Sequence, residues 1–209
     1  PVLLRHDDDG IVTLTLNRPK QYNALSADLL TALQSSLDDI AQDEAIRVVI
    51  IAANGKAFCA GHDLKEMRSS EERAVHQSLF DQCGRMMVSI NRLPQPVIAR
   101  INGIATAAGC QLVASCDLAV AAEDARFAVS GINVGLFCST PAVPLSRNLL
   151  QKQAMQMLLT GDFISAQQAL QFGLVNEVVD TADLEDATRA LATKIAAKSS
   201  HSIKLGKDM

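Results

Sequence analysis

Three short runs, Val48–Ala53, Val97–Ile101 and Asp117–Ala121, are apolar almost throughout, and each has the length of a strand. A strand with apolar residues at successive positions has no solvent side. It must be covered on both faces, as in parallel sheets packed between helices. The segments between these runs carry a helical period. Ser26–Asp43 opens on an N-cap serine with Asp28 in the first turn, and Leu29, Leu33, Leu37 and Ile40 fall on one stripe. Glu66–Asn91 is mostly helical in character until Pro94-Gln95-Pro96 breaks it. Strands alternating with helices define an α/β fold.

The rest of the chain fits that frame. Val2–Arg5 and Ile11–Leu16 predict two short strands joined by a turn at Asp7-Asp8-Asp9-Gly10. Ala57–Leu64 predicts a loop. The small residues Ile104–Cys110 lead into a helix that runs on through Ala114. Phe127–Pro144, rich in Gly, Ser, Thr and Pro, predicts an irregular loop. Gln151–Thr160, Ser165–Phe172 and Ala182–Lys198 predict short amphipathic helices, the first two stopped by Gly161 and Gly173. No internal repeat or linker divides the 209 residues, so one domain is expected.

Composition excludes several classes of function. The 19 Lys and Arg against 23 Asp and Glu give a net charge of −4, with no basic patch to neutralise phosphates, so no nucleic-acid partner is expected. With no Trp, one Tyr and six Phe, few rings are available to stack on a base or a sugar. No apolar run reaches about 18 residues, so no membrane span is expected. Pro1–Asp9 carries an acidic run where a signal peptide would have a basic one. Five cysteines, Cys59, Cys83, Cys110, Cys116 and Cys138, form no C-x-x-C pair and sit among small apolar residues, as buried free thiols do. That usage indicates a reducing compartment, and no metal site is expected.

Two turns hold the chemical interest: Cys59-Ala60-Gly61-His62-Asp63-Leu64, after the strand Val48–Ala53, and Asn102-Gly103 to Gly109, after Val97–Ile101. Ligands of α/β sheets collect at such strand-to-helix junctions. One unpaired N–H from each turn would make an oxyanion hole. The alternative is that these small residues only allow tight turns and close helix–strand packing.

The order and spelling of the motifs resemble the enoyl-CoA hydratase/isomerase (crotonase) family along nearly the whole chain. The similar segments are Asn17-Arg18-Pro19, Asn23-Ala24-Leu25-Ser26, Phe58–Met67, Pro96-Val97-Ile98-Ala99, Asn102-Gly103 to Gly109-Cys110-Gln111-Leu112, Cys116–Ala121, Leu159-Thr160-Gly161, Ile164–Ala169 and Gly173-Leu174-Val175. The resemblance implies a spiral of ββα units with a helical C-terminal part. Residues 1–180 would be the spiral core, and 181–209 the start of a helical region that family chains continue with two or three further helices. It implies assembly as a homotrimer or a dimer of trimers. It implies an acyl-CoA thioester as ligand in fatty-acid metabolism, with coenzyme A brought by the substrate and no other cofactor. The location implied is cytoplasmic for a bacterial chain and the mitochondrial matrix for a eukaryotic one.

By position, the resemblance makes the backbone N–H groups of His62 and Ala108 the two donors. Ala24, Ala60, His62, Asp63, Leu64, Lys65 and Ala108 would contact substrate or coenzyme A, with Lys65 near the nucleotide end. The two glutamates that handle water and the α-proton in ordinary hydratases fall at Gln111 and Gly131. The aspartate of dienoyl-CoA isomerases falls at Ser139. An amide is no base, and glycine has no side chain, so efficient ordinary hydration is not expected. Gln111 retains the capacity to position a water. Hydrolysis, decarboxylation, slow hydration and acyl-CoA binding without turnover remain as readings. The family's malonyl-type decarboxylases also carry Gly-His-Asp at this turn. The His62 side chain is otherwise expected to face solvent or pair with Asp63. Cys138-Ser139-Thr140 offers a nucleophile without a neighbouring histidine, and Asp117 is expected to cap or turn.

Overall fold

The computed structural model describes residues 1–209. It contains two sheets with helices packed against them. Strands β1 (Leu3–Asp8), β2 (Ile11–Leu16), β3 (Val48–Ala53), β5 (Val97–Ile101), β7 (Leu118–Ala122) and β10 (Glu177–Val179) form the larger sheet in the order β1-β2-β3-β5-β7-β10. Only β1 runs antiparallel to its neighbour. Strands β4 (Ala57–Cys59), β6 (Ile104–Thr106), β8 (Arg126–Ala128) and β9 (Ile164–Ser165) form the smaller sheet in that order, with β4, β6 and β8 parallel and β9 antiparallel.

The chain winds between these sheets. It passes from β3 through β4 to helices α2 (Leu64–Met67) and α3 (Arg73–Arg92), from β5 through β6 to α4 (Ala108–Ser115), and from β7 through β8 to α5 (Ser139–Asn148). The chain is a spiral of ββα units, as expected, and each of these three gives one strand to each sheet. The apolar runs are buried on both faces. Val49 and Ile51 of β3 point into the main core beneath α1 (Ala27–Gln42), and Val48, Ile50 and Ala52 point into a second cluster closed by Leu184 and Ala192 of α8 (Leu184–Ala196). The acidic hairpin is tighter than the sequence predicts. β1 continues to Asp8, and Asp9 and Gly10 alone turn the chain, both with positive φ, which suits a two-residue hairpin turn. Ser26 caps α1 by accepting from the Leu29 N–H, and Gly161 and Gly173 end α6 (Gln151–Thr160) and α7 (Ala166–Phe172) in the left-handed conformation.

The stretch 66–91 is mostly helical, as expected, but in two pieces: Asp63 caps the single turn α2, and α3 begins afresh at Arg73. Two expectations are corrected. Phe127–Pro144 is not an irregular loop. It holds the end of β8, a 3-10 turn at Ser130–Val134, and most of α5, which tolerates Pro141 in its first turn and carries Pro144 inside. The two glycine-rich turns follow the three-residue strands β4 and β6, not the long strands β3 and β5 directly. Runs of three residues are too short to carry a readable period. A final helix, α9 (Ser200–Asp208), is tied down by Lys207, whose Nζ donates to Gln95 O and to Asp117 Oδ2. No helix is long and apolar enough to cross a membrane.

Candidate functional site

The site begins with the pairing of β4 and β6. These strands are parallel neighbours, with Ala57 opposite Ile104 and Cys59 opposite Ala105. Their C-terminal ends therefore emerge side by side, and so do the turns that follow. Two glycines bring those turns into contact. A Cβ on Gly109 would lie 2.1 Å from Cys59 O, and one on Gly61 would lie 2.9 Å from the Ala107 Cβ and 3.2 Å from Ala108 N. Only hydrogen fits at both places. Gly61 also has φ +90°, a conformation that side chains rarely tolerate.

The first turn is held from the N-terminal segment. Leu25 N donates to Gly61 O at 2.7 Å, Asp63 N to Leu25 O at 3.1 Å, and Ala60 N to Tyr22 O at 3.0 Å. Residues 22–25 thus run beside 60–63 like an extra strand pair. Asn23, fully buried with φ +53°, fixes that segment. Its amide donates to Asn54 O and Ala57 O, and its carbonyl accepts from Arg18 N. Arg18 donates to Ala24 O and forms an ion pair with Asp63 Oδ2 at 2.8 Å. Asp63 Oδ1 accepts from the Lys65 and Glu66 N–H groups at the start of α2. Burial alone would raise the Asp63 carboxyl. The Arg18 hydrogen bond, the Glu66 and Lys65 amides and the Arg18 charge outweigh it and hold the carboxyl below its ordinary value. Leu64 and Lys65 are exposed beyond it, and Glu66 Oε2 accepts from Ala27 N, tying α2 to the start of α1.

The second turn is strained. Ala107, the N-cap of α4, sits at φ +52°, ψ −122°, which costs a non-glycine residue of order 1–3 kcal/mol. Its own N–H donates to Ala128 O, across the smaller sheet. The first helical bond of α4 is Gln111 N to Ala107 O, which leaves Ala108 at the first helical position with its N–H unused. His62 bridges Leu25 only through the atoms of Gly61 and Asp63, so its N–H likewise has no acceptor in the chain. Every residue of α4 is buried, and its positive end opens at Ala108.

The side chains behave differently from expectation at one point. Asp63 belongs to Arg18, and the His62 ring neither pairs with it nor faces solvent. Both ring nitrogens are buried without a partner, and the ring lies edge-on to Phe80 of α3, centroids 5.0 Å apart. Burial pushes the imidazole below its ordinary value, so it is neutral at physiological pH. Gln111, one turn along α4 from Ala108, is buried with Oε1 unpartnered. Gly131 cannot carry a side chain as the chain is packed: a Cβ there would lie 2.6 Å from Leu136 O and 2.7 Å from Cys138 Sγ. Ser139 is exposed at the start of α5. All five cysteines are free and buried, and burial raises their thiols, those of Cys59, Cys83 and Cys110 to about 12. None is a thiolate at neutral pH. Asp117 is structural: it accepts from Val97 N and pairs with Lys207. No group of three or more His, Cys, Asp or Glu side chains is gathered where a metal ion could be held.

Phe80 and the strained Ala107 escaped the sequence reading. A phenylalanine in an amphipathic stretch gives no sign of its neighbour across the fold, and an alanine gives no sign of positive φ.

Ordered strand ends presenting free amides beside a buried helix define a class of α/β proteins, and comparison with known families identifies it. The family model for enoyl-CoA hydratase/isomerase matches residues 6–209, and the chain belongs to that family. Among solved structures, that of enoyl-CoA hydratase from Mycobacterium smegmatis is 58% identical, with a TM-score of 0.97, covering all of this chain and 81% of that one. Human enoyl-CoA hydratase domain-containing protein 3, described as mitochondrial, is 49% identical over 199 residues, 95% of this chain and 66% of its own length. Its crystal structure superposes with a TM-score of 0.96 at 47% identity, covering all of this chain and 82% of that one. The chain spans about two thirds of the length of these curated relatives.

Proposed function

We propose that the chain binds an acyl-CoA thioester with its carbonyl oxygen between the N–H groups of His62 and Ala108. The observation that carries this is the pair of unused amides on turns in contact, Ala108 N lying within 3.2 Å of where a Gly61 Cβ would stand. Negative charge develops on that oxygen when the α-carbon becomes a carbanion. Fixed donors placed there stabilise it, and loss of one donor in such sites costs about 10²–10³ in rate. Ala24, Ala60, Asp63, Leu64 and Lys65 would line the path of the coenzyme, with Lys65 toward its phosphates. The Arg18–Asp63 pair would hold that path in place.

In this reading the chemistry is not efficient ordinary hydration. Gln111 supplies an amide in place of a carboxylate, and the space beside Gly131 is filled by Cys138 and the Leu136 carbonyl. Gln111 Oε1, buried and unpartnered, could still orient a water. The remaining activities are slow hydration, decarboxylation, and hydrolysis by water, since the raised Cys138 thiol makes a poor nucleophile. A second reading, an acyl-CoA-binding protein without turnover, is favoured by the same filled space at Gly131. In both, the chain serves acyl-CoA metabolism and assembles as a homotrimer or hexamer.

The test is direct. Binding of a crotonyl-CoA labelled with ¹³C at the thioester carbonyl should lower the carbonyl stretching frequency, as two hydrogen bonds polarise it. Binding without any shift would sink the oxyanion reading. Incubation with enoyl-, malonyl- and saturated acyl-CoAs then separates an enzyme from a binding protein by the presence of product.

A further inference from the structure

Buried polar atoms in folded proteins nearly always have hydrogen-bond partners, and an orphan asks for an explanation. His62 has two orphans on one ring. The cost of burying them without partners is not recovered by any neighbour, since Asp63 is committed to Arg18 and the ring touches Phe80, which offers no hydrogen bond. An apolar side chain of similar size would fill the place more cheaply. The ring belongs to the same residue as one of the two free amides, so it lies within a side chain's reach of any acyl group held there. Phe80 has somewhere to go. It also lines an open groove of about 1010 Å³ between α1 and α3, and Gly84, one helical turn further on, leaves the space beside it empty.

We infer that the His62 imidazole reads a neutral oxygen substituent on the acyl chain, a hydroxyl before all, when Phe80 swings into the groove and uncovers it. This rests on the thioester reading above. A neutral imidazole offers one donor and one acceptor, and a hydroxyl group is complementary to both. A carboxylate only accepts, so it answers the ring's donor and leaves its acceptor unpaired. A site built to hydrogen-bond a hydroxyl discriminates against the analogue that lacks it, because its buried polar groups are then left unpaired.

The experiment measures dissociation constants of 3-hydroxybutyryl-CoA, butyryl-CoA and malonyl-CoA by calorimetry for the parent chain, His62→Leu and Phe80→Ala. The parent should prefer the hydroxylated thioester over butyryl-CoA by about tenfold or more. His62→Leu keeps the backbone N–H but removes the ring, so the ratio of its dissociation constants for butyryl-CoA and 3-hydroxybutyryl-CoA should fall to about one, whatever its affinity for either. It should also melt about 2–4 °C higher, because the orphaned nitrogens are gone. Phe80→Ala leaves the imidazole in place and uncovered, and should retain the preference. Equal binding of hydroxybutyryl and butyryl thioesters to the parent, a preference that survives in His62→Leu, or tighter binding of malonyl-CoA overturns the inference alone. If no thioester binds the parent, the thioester reading falls and this inference falls with it.

Discussion

Gly109 is the residue on which the approach of the two turns depends. Its missing Cβ is what lets Cys59 O come within 2.1 Å of that position. Gly109→Ala must push β4 away from α4, and overpacking of this kind costs about 1–3 kcal/mol, occasionally more. A melting temperature lower by about 5 °C or more is the expected outcome, with thioester affinity falling in the same variant. Ala107 points the other way. It holds φ +52° at the expense of strain, so Ala107→Gly should raise stability by up to about 1 kcal/mol, read as a higher urea midpoint at unchanged slope. At Gly131 the sequence misleads. Restoring a carboxylate looks like a single substitution, yet Gly131→Glu has no room, and we expect a lower melting temperature and no gain in crotonyl-CoA hydration. The sequence names the residues of both turns, because glycine and small side chains mark close backbone approach. It is silent on which atoms those glycines approach, since Cys59 lies fifty residues from Gly109 in the chain and beside it only in the fold.

Among the elements, the longer ones were legible. Val48–Ala53 and Val97–Ile101 agree with β3 and β5 to the residue, and the stripe of Leu29, Leu33, Leu37 and Ile40 is buried as the helical period requires. The three-residue strands β4, β6 and β8 were not legible, although they place the site; their stability comes from pairing with one another, which no local pattern records. Helix α2 is a single turn that owes its place to Asp63, and Asp63 in turn to Arg18. Arg18→Met should therefore cost about 2–4 kcal/mol near neutral pH by leaving a mostly buried carboxylate without its counter-charge. The sign with pH follows from a folded Asp63 value below the unfolded one near 3.9. The stabilisation is complete above about pH 4 and is lost as pH falls through the folded value. Parent and Arg18→Met stabilities should diverge at neutral pH and converge in acid; parallel curves would show that the pair contributes nothing.

For the molecule as a whole, the resemblance carried what local patterns could not: a spiral of ββα units. The surface adds something the motifs do not spell. Val134, Leu150 and Leu159 are exposed by 80%, 73% and 58%, and Leu136, Val143 and Phe163 add to the apolar surface of the segment 134–163. Exposed apolar side chains on this segment are what the proposed homotrimer or hexamer would cover. Light scattering should give three or six times the 22.3 kDa of one chain, and Leu150→Arg with Leu159→Arg should reduce it to one. The sulfur lodged over Gly131 also closes that corner to redesign: any side chain introduced at position 131 must first displace the Cys138 thiol and the Leu136 carbonyl, so a new reactive group is better brought in from a neighbouring helix than from this turn.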